Sequence, residues 1–291
     1  MRVAIIGANG QLGVDLVRRF RDGGGHDVLA LTRHDADARD RVGLAAALAP
    51  FRPEVVVNTA AFHKVDICED EPWTATETNV LGTANAAFAC RDLDALLVHL
   101  STDYVFSGTA ERPYREEDPA EPVNVYGATK LAGERLAAAI WPRTLIVRTS
   151  GLFGHAGASG KGGNFVETML RLGRERGVVR VVTDQVLGPT YTPDLAEVIA
   201  QATERGTTGT LHVTNSGHTS WFGFTEAIFD LAGVDARVEP TTTAEFGARA
   251  RRPAYSVLAH DGLAAAGLSE PQPWREALAA YIQGRRSPGD I

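Results

Sequence analysis

The stretch RVAIIGANGQLG, residues 2–13, decides the fold. A short apolar run with β-branched residues ends on Gly7, and Leu12, Leu16, Val17 and Phe20 then recur on one helical face. Glycines at 7, 10 and 13 therefore lie between a strand and an amphipathic helix, the context in which this spacing reads as a dinucleotide cradle and not as packing alone. Gly7 permits the tight turn, Gly10 lets backbone approach a diphosphate, and Gly13 lets helix and strand pack closely. Free N–H groups and the positive end of the helix dipole then meet the anion. The predicted cofactor contacts of this turn are Gly7, Asn9, Gly10, Gln11, Leu12 and Gly13.

Downstream the pattern repeats. Apolar runs at 27–32, 54–60, 95–101 and 144–150 read as further buried strands, and Val80, Ala84, Ala87 and Phe88 mark another helical face. The expected fold is α/β, a doubly wound parallel sheet of the Rossmann type with a second, smaller mixed α/β substrate lobe. Residues 1–152 form the expected dinucleotide-binding domain, to which the chain returns around 178–232, and 153–291 belong mainly to the substrate lobe. The Gly- and Ser-rich 155–164 reads as a mobile loop between lobes, and the tail 285–291 as frayed.

A chain of 291 residues, 44% hydrophobic, is long enough for a large core, and a net charge of −7 gives no basic surface for nucleic acid or an anionic membrane. The expected partners are small molecules and a second copy of the chain. Cys68 and Cys90 lack His or Cys neighbours at ligand spacing, so neither a disulfide framework nor a zinc site follows. No apolar run reaches membrane-spanning length and the N-terminus lacks a signal-like core, so a cytoplasmic protein is expected.

Cofactor choice turns on the end of the second strand, LTRHD. Thr32 and Arg33 stand where a 2′-phosphate would need a cation, which favours NADPH over NADH, while Asp35 keeps binding of a ribose hydroxyl open. Asp40, with Ala60 and Ala61 at the end of the third strand, completes the predicted cofactor set. Further along, Ser101 and Thr102 end a strand where the crevice of such a sheet lies, and Tyr126 and Lys130 share a helical face one turn apart. An ammonium near a phenol lowers its pKa, and a hydroxyl can hydrogen-bond a substrate carbonyl. Together they supply a proton donor beside a nicotinamide.

On GANGQLG (7–13), STDYVFSG (101–108), YGATK (126–130), NFVETMLRL (164–172) and DQVLGPTYTPDLA (184–196), the chain resembles the extended short-chain dehydrogenase/reductases, and within them the dTDP-4-dehydrorhamnose reductases. The resemblance implies that Thr102 hydrogen-bonds a C4 carbonyl and Tyr126 protonates it. It also implies that Lys130 holds the nicotinamide ribose and tunes Tyr126, with hydride passing from NADPH to C4 of a dTDP-linked 4-keto-6-deoxy sugar. Val65, Thr102, Asp103, Tyr104, Tyr126, Gly151, Asn164 and Arg252 form the implied substrate pocket.

Departures qualify it. Sugar-nucleotide dehydratases of this fold follow the Thr with Asp-Glu, whereas here Asp103 and Tyr104 follow, which suits simple reduction. Many rhamnose-type reductases carry an aromatic residue where this chain has Gly151, so a different dTDP-4-keto-deoxysugar is a second candidate substrate. Asp15 replaces a glutamate that links magnesium in some relatives, and no metal is expected. The same motifs also occur in a non-catalytic NADP-binding regulatory subunit, the methionine adenosyltransferase β-subunit, and the fold serves epimerases and dehydratases with tightly held NAD; both readings stay open at this point. His63 borders the pocket in one reading and is bland in the other, and Trp221 reads as core.

Overall fold

The computed structural model describes residues 1–23, 25–157 and 163–285. The mobility expected of the 155–164 loop at 158–162, and the fraying expected at 286–291, lie outside the described residues.

Twelve strands appear in chain order among those residues. Five match the expected runs to within two residues at each end: β1 (Arg2–Ile6), β2 (Asp27–Leu31), β3 (Val55–Asn58), β4 (Leu96–Thr102) and β5 (Thr144–Thr149). They are followed by β6 (Leu152–Phe153), β7 (Val178–Val182), β8 (Val186–Leu187), β9 (Thr190–Tyr191), β10 (Gly209–His212), β11 (Thr219–Ser220) and β12 (Arg237–Thr241). A six-stranded sheet runs β10-β5-β4-β3-β1-β2 with every pairing parallel. From β1 the chain moves outward to β2 and then returns across β1 to β3. The order reverses there, so a crevice opens beyond the carboxyl ends of β1 and β3.

Both faces of the sheet are covered, which is why its strands are almost uninterruptedly apolar. Val3, Ile5, Val55, Val57, Leu96 and Val98 face one core with Leu12, Leu16, Phe20 and Ile199. Their alternates Ala4, Ile6, Val56 and Leu97 face the other with Leu44, Leu48, Ala87 and Ala137. Helix Gln11–Asp22 packs against helix Thr192–Glu204, so this later segment and β10 rejoin the first sheet. A separate core gathers Phe153, Val166, Leu170, Phe224, Ile228 and Tyr281 beside the parallel β7–β12 pair. Trp221 lies against Phe165 there, ring centroids 4.3 Å apart, as the core reading expects.

No helix of the described residues is long and apolar enough to cross a membrane. Both cysteines are buried. Among the described residues no group of His, Cys, Asp and Glu is arranged to hold a metal. Asp15 instead accepts a hydrogen bond from Thr192 at 2.6 Å, tying together the two helices of the first core.

Candidate active site

The glycine turn is built for close approach. Gly7 has φ +82°, and its N–H and that of Ala8 donate to Leu31 O at 2.9 and 3.0 Å. A Cβ at Gly7 would lie 2.6 Å from Thr59 Oγ1, and one at Gly13 would lie 2.2 Å from Gly7 O. Helix Gln11–Asp22 begins with no side-chain cap and no acid in its first turn, which leaves its leading N–H groups to an anion. The Gln11 side chain is buried with its Oε1 unpartnered, Asn9 is exposed, and the Leu12 side chain belongs to the core. Leu12 therefore has only backbone to offer a cofactor. The free N–H groups of the turn fit a dinucleotide diphosphate, whereas the unpartnered Gln11 oxygen, an acceptor, suits a hydroxyl of the dinucleotide.

At the end of β2, Thr32 N and Oγ1 both donate to Asp35 Oδ2, at 2.8 and 2.7 Å. These bonds hold the Asp35 carboxyl below its ordinary pKa and turn it back on its own loop. Arg33 projects into solvent, its Nε 3.4 Å from Asp37. Asp40 caps helix Arg41–Leu48, accepting from Val42 N and Gly43 N at 3.1 Å. The cap uses Oδ1 alone of the carboxylate expected to meet the cofactor. Ala60 and Ala61 follow β3, and the Ala60 N–H donates to Asn58 Oδ1 at 3.1 Å.

The predicted trio converges at the carboxyl end of β4. Helix Val125–Ile140 starts on Asn124, whose Oδ1 accepts from Gly127 N at 2.8 Å, and this cap sets Tyr126 in the first turn. The Tyr126 ring meets the edge of Tyr104, centroids 6.0 Å apart. Thr102 Oγ1 donates to Asp103 Oδ1 at 3.0 Å and accepts from Tyr104 N at 3.2 Å. Burial pushes the Tyr126 phenol above its ordinary pKa, and the Thr102 side chain works the other way.

Lys130 is 1% exposed and its Nζ reaches inward to Leu100 O at 2.6 Å and His99 Nε2 at 3.2 Å. Burial lowers its pKa to about 8 against the opposing charge of Glu134. The expected acidification of Tyr126 by Lys130 is absent here: the ammonium is turned to β4, and desolvation of the phenol dominates.

Asp103 is 3% exposed and accepts from Thr102, Ser150 (2.7 Å) and Ser256 (2.5 Å). Burial raises its pKa in spite of those three hydroxyls. Arg252, expected as a phosphate fork, is already paired with Asp66 at 2.8 and 3.2 Å, and its charge reaches the Tyr104 phenol.

Asn164 caps helix Phe165–Arg176 through Oδ1 and commits both Nδ2 protons to Gly154 O and Tyr281 Oη, at 2.8 and 3.2 Å. Val65 is half-buried at the start of helix Val65–Asp70. Within that helix Glu69 accepts from Val125 N at 2.9 Å and so ties it to the start of helix Val125–Ile140, while Asp70 and Glu71 are exposed. Gly151 has φ +53°, and a Cβ there would meet Leu187 Cδ1 at 2.6 Å. Leu187 thus lies against Gly151, where the aromatic side chain of some relatives would begin.

Sequence reasoning missed a second rank of residues. Asn79 lies in a π-helical turn, Glu77–Leu81, and its amide clamps Phe62 N and O and donates to Thr129 Oγ1 at 3.0 Å. Glu134 pairs with Arg148 and accepts from Ser101. His99 was the visible signal, a lone imidazole inside the apolar LLVHLST.

The family described as RmlD substrate binding domain matches residues 1–287. The spore coat polysaccharide biosynthesis protein SpsK of Bacillus subtilis is 41% identical over 99% of both chains. A dTDP-4-dehydrorhamnose reductase of Streptomyces griseus is 43% identical over 95% of this chain and 91% of that one. Among solved structures, dTDP-4-dehydrorhamnose reductase of Bacillus anthracis in complex with NADP superposes with a TM-score of 0.93 at 38% identity, covering 98% of this chain and 99% of that one.

Proposed function

The chain belongs to the family described as RmlD substrate binding domain and is an NADPH-dependent reductase of dTDP-sugars; from there we propose that it reduces dTDP-4-dehydro-L-rhamnose to dTDP-L-rhamnose. The observation that carries this reading is the convergence of Thr102 and Tyr126 over Lys130 at the carboxyl end of β4, in the sheet whose glycine cradle opens at β1. Bound NADPH supplies hydride to C4.

The protein supplies the rest. A phenol whose pKa is raised by burial keeps its proton at neutral pH, so Tyr126 holds the proton that O4 takes as negative charge develops there. Thr102 orients the substrate carbonyl once its one hydroxyl proton, given to Asp103 in this structure, turns to it. Asp103 locks Thr102 through its hydroxyl and, through Ser256, ties it to the segment that carries Arg252. Tyr104, Val65 and Arg252 border the sugar, and the core around Phe153 and Phe224 carries the substrate lobe.

The test is turnover of dTDP-4-keto-6-deoxyglucose with and without a 3,5-epimerase, with the product identified by NMR. Rhamnose formed only with the epimerase is the expected result. Product formed without it would move the assignment to another dTDP-deoxysugar, the reading favoured by Gly151 and Leu187. Tyr126→Phe should lower kcat at least ~100-fold, the scale of general acid catalysis. A wild type that binds NADPH without turning over would instead mark a regulatory subunit.

A further inference from the structure

The hydrogen bonds beneath Lys130 contain a conflict that one proton arrangement resolves. The Ala60 N–H donates to Asn58 Oδ1 at 3.1 Å. A backbone N–H only donates, so the Asn58 amide is fixed with its Nδ2 toward His99 Nδ1, 3.4 Å away. Across the ring, His99 Nε2 lies 3.2 Å from Lys130 Nζ. With Lys130 as an ammonium, the imidazole would face a donor on each nitrogen, although neutral imidazole has a single lone pair for such bonds. An imidazolium would be worse, with two N–H groups aimed at two donors and a second cation in the same interior.

Every group is satisfied in one pattern. Asn58 Nδ2–H donates to His99 Nδ1, His99 Nε2–H donates to the Lys130 amine, and a Lys130 N–H donates to Leu100 O at 2.6 Å. We propose that Asn58 and His99 are positioning residues that set the proton state of Lys130: the fixed amide selects the Nε2–H tautomer of His99, and that tautomer favours Lys130 as an amine. As the ammonium, Lys130 can pass a proton toward Tyr126 and regain one from solvent, and a lowered proton affinity eases that release, so the inference deepens the reductase reading and rests on it.

Other groups around Lys130 act in known directions. Its own helix contributes Tyr126 and the Glu134 carboxylate, which favours the ammonium. Glu134 is in turn neutralised by Arg148 of β5 and hydrogen-bonded by Ser101 of β4. Burial lowers both Lys130, to about 8, and His99, which also feels the Lys130 charge.

The test reads the tautomer directly. In protein labelled with 15N-histidine, long-range 1H–15N spectra should show His99 protonated on Nε2 and bare on Nδ1 at both about pH 7 and about pH 9, on either side of the lysine's titration. The resonance is assigned by its loss in His99→Gln. Protonation on Nδ1, or on both nitrogens, overturns the proposal. This readout needs no turnover, so it stands whatever sugar the enzyme reduces.

The His99→Gln variant also carries a kinetic test. Its amide is free to turn an oxygen toward Lys130, which should move the alkaline limb of kcat upward by about one unit, a tenfold change in proton affinity. A limb that stays or moves down counts against the proposal. If the variant does not fold, one-bond correlations in the wild type still decide the tautomer.

Discussion

Arg33 leaves β2 with 74% of its side chain exposed and only a 3.4 Å contact to Asp37, so its fork is available to a 2′-phosphate. Arg33→Ser should therefore raise the KM for NADPH about 10- to 100-fold, the worth of a charge-assisted hydrogen bond, and leave that for NADH nearly unchanged. Equal losses for the two cofactors would show that Arg33 does not face the phosphate. Single residues were legible where spacing alone fixes backbone geometry, as with the close approach at Gly7 and Gly13. They were illegible where a distant partner captures the group. Arg252 meets Asp66, 186 residues away. The pKa of Tyr126 also defied its neighbour in sequence, because desolvation exceeds the field of a lysine turned elsewhere.

At the scale of elements, helix Val125–Ile140 carries the chemistry and is fastened to the sheet by one buried ion pair. Arg148 donates to Glu134 at 3.0 and 2.8 Å, and both side chains are 4% exposed. Glu134→Ala would leave the Arg148 cation uncompensated in the interior, which costs about 3–5 kcal/mol. Denaturant midpoints should fall accordingly, and less for Glu134→Gln, which keeps the shape and an acceptor. Losing this carboxylate also removes the charge that supports the Lys130 ammonium, so the alkaline limb of activity should move down from about 8. A variant with unchanged stability would show that water repairs the pair. Strands were readable because burial on both faces leaves long apolar runs. The π-helical turn at Glu77–Leu81 was not: it adds one residue to an otherwise ordinary helical pattern, and what it achieves, the clamp of Asn79 on Phe62, is tertiary.

Over the whole molecule, the chain crosses between two cores and places polar groups at the centre of the sheet. The Gly209–His212 strand completes one edge of the parallel sheet by pairing with β5, and which segment does so was not legible, since the pairing depends on contacts across some sixty residues. This closure buries His212 beside Arg148, just as β4 buries His99 beside Lys130. Burial holds His212 down to about 3 and His99 well below its ordinary value. On unfolding, both return to a pKa of about 6.5. Below that pH the unfolded chain binds more protons than the native one, so their contribution to stability is fully present above about 6.5 and is lost as pH falls. The slope approaches about 1.4 kcal/mol per pH unit for each histidine. Asp103, raised by burial, acts in the opposite sense, stabilising most at low pH and losing that contribution as pH rises past its ordinary value. Asp37 and Asp118, each held at about 2 by an arginine, add their loss only below about 4. Urea midpoints measured from about pH 7.5 to about pH 5 should therefore fall well before most carboxylates titrate, and His212→Gln should lessen that fall. A midpoint flat across this range would mean that the two imidazoles gain protons without leaving the sheet.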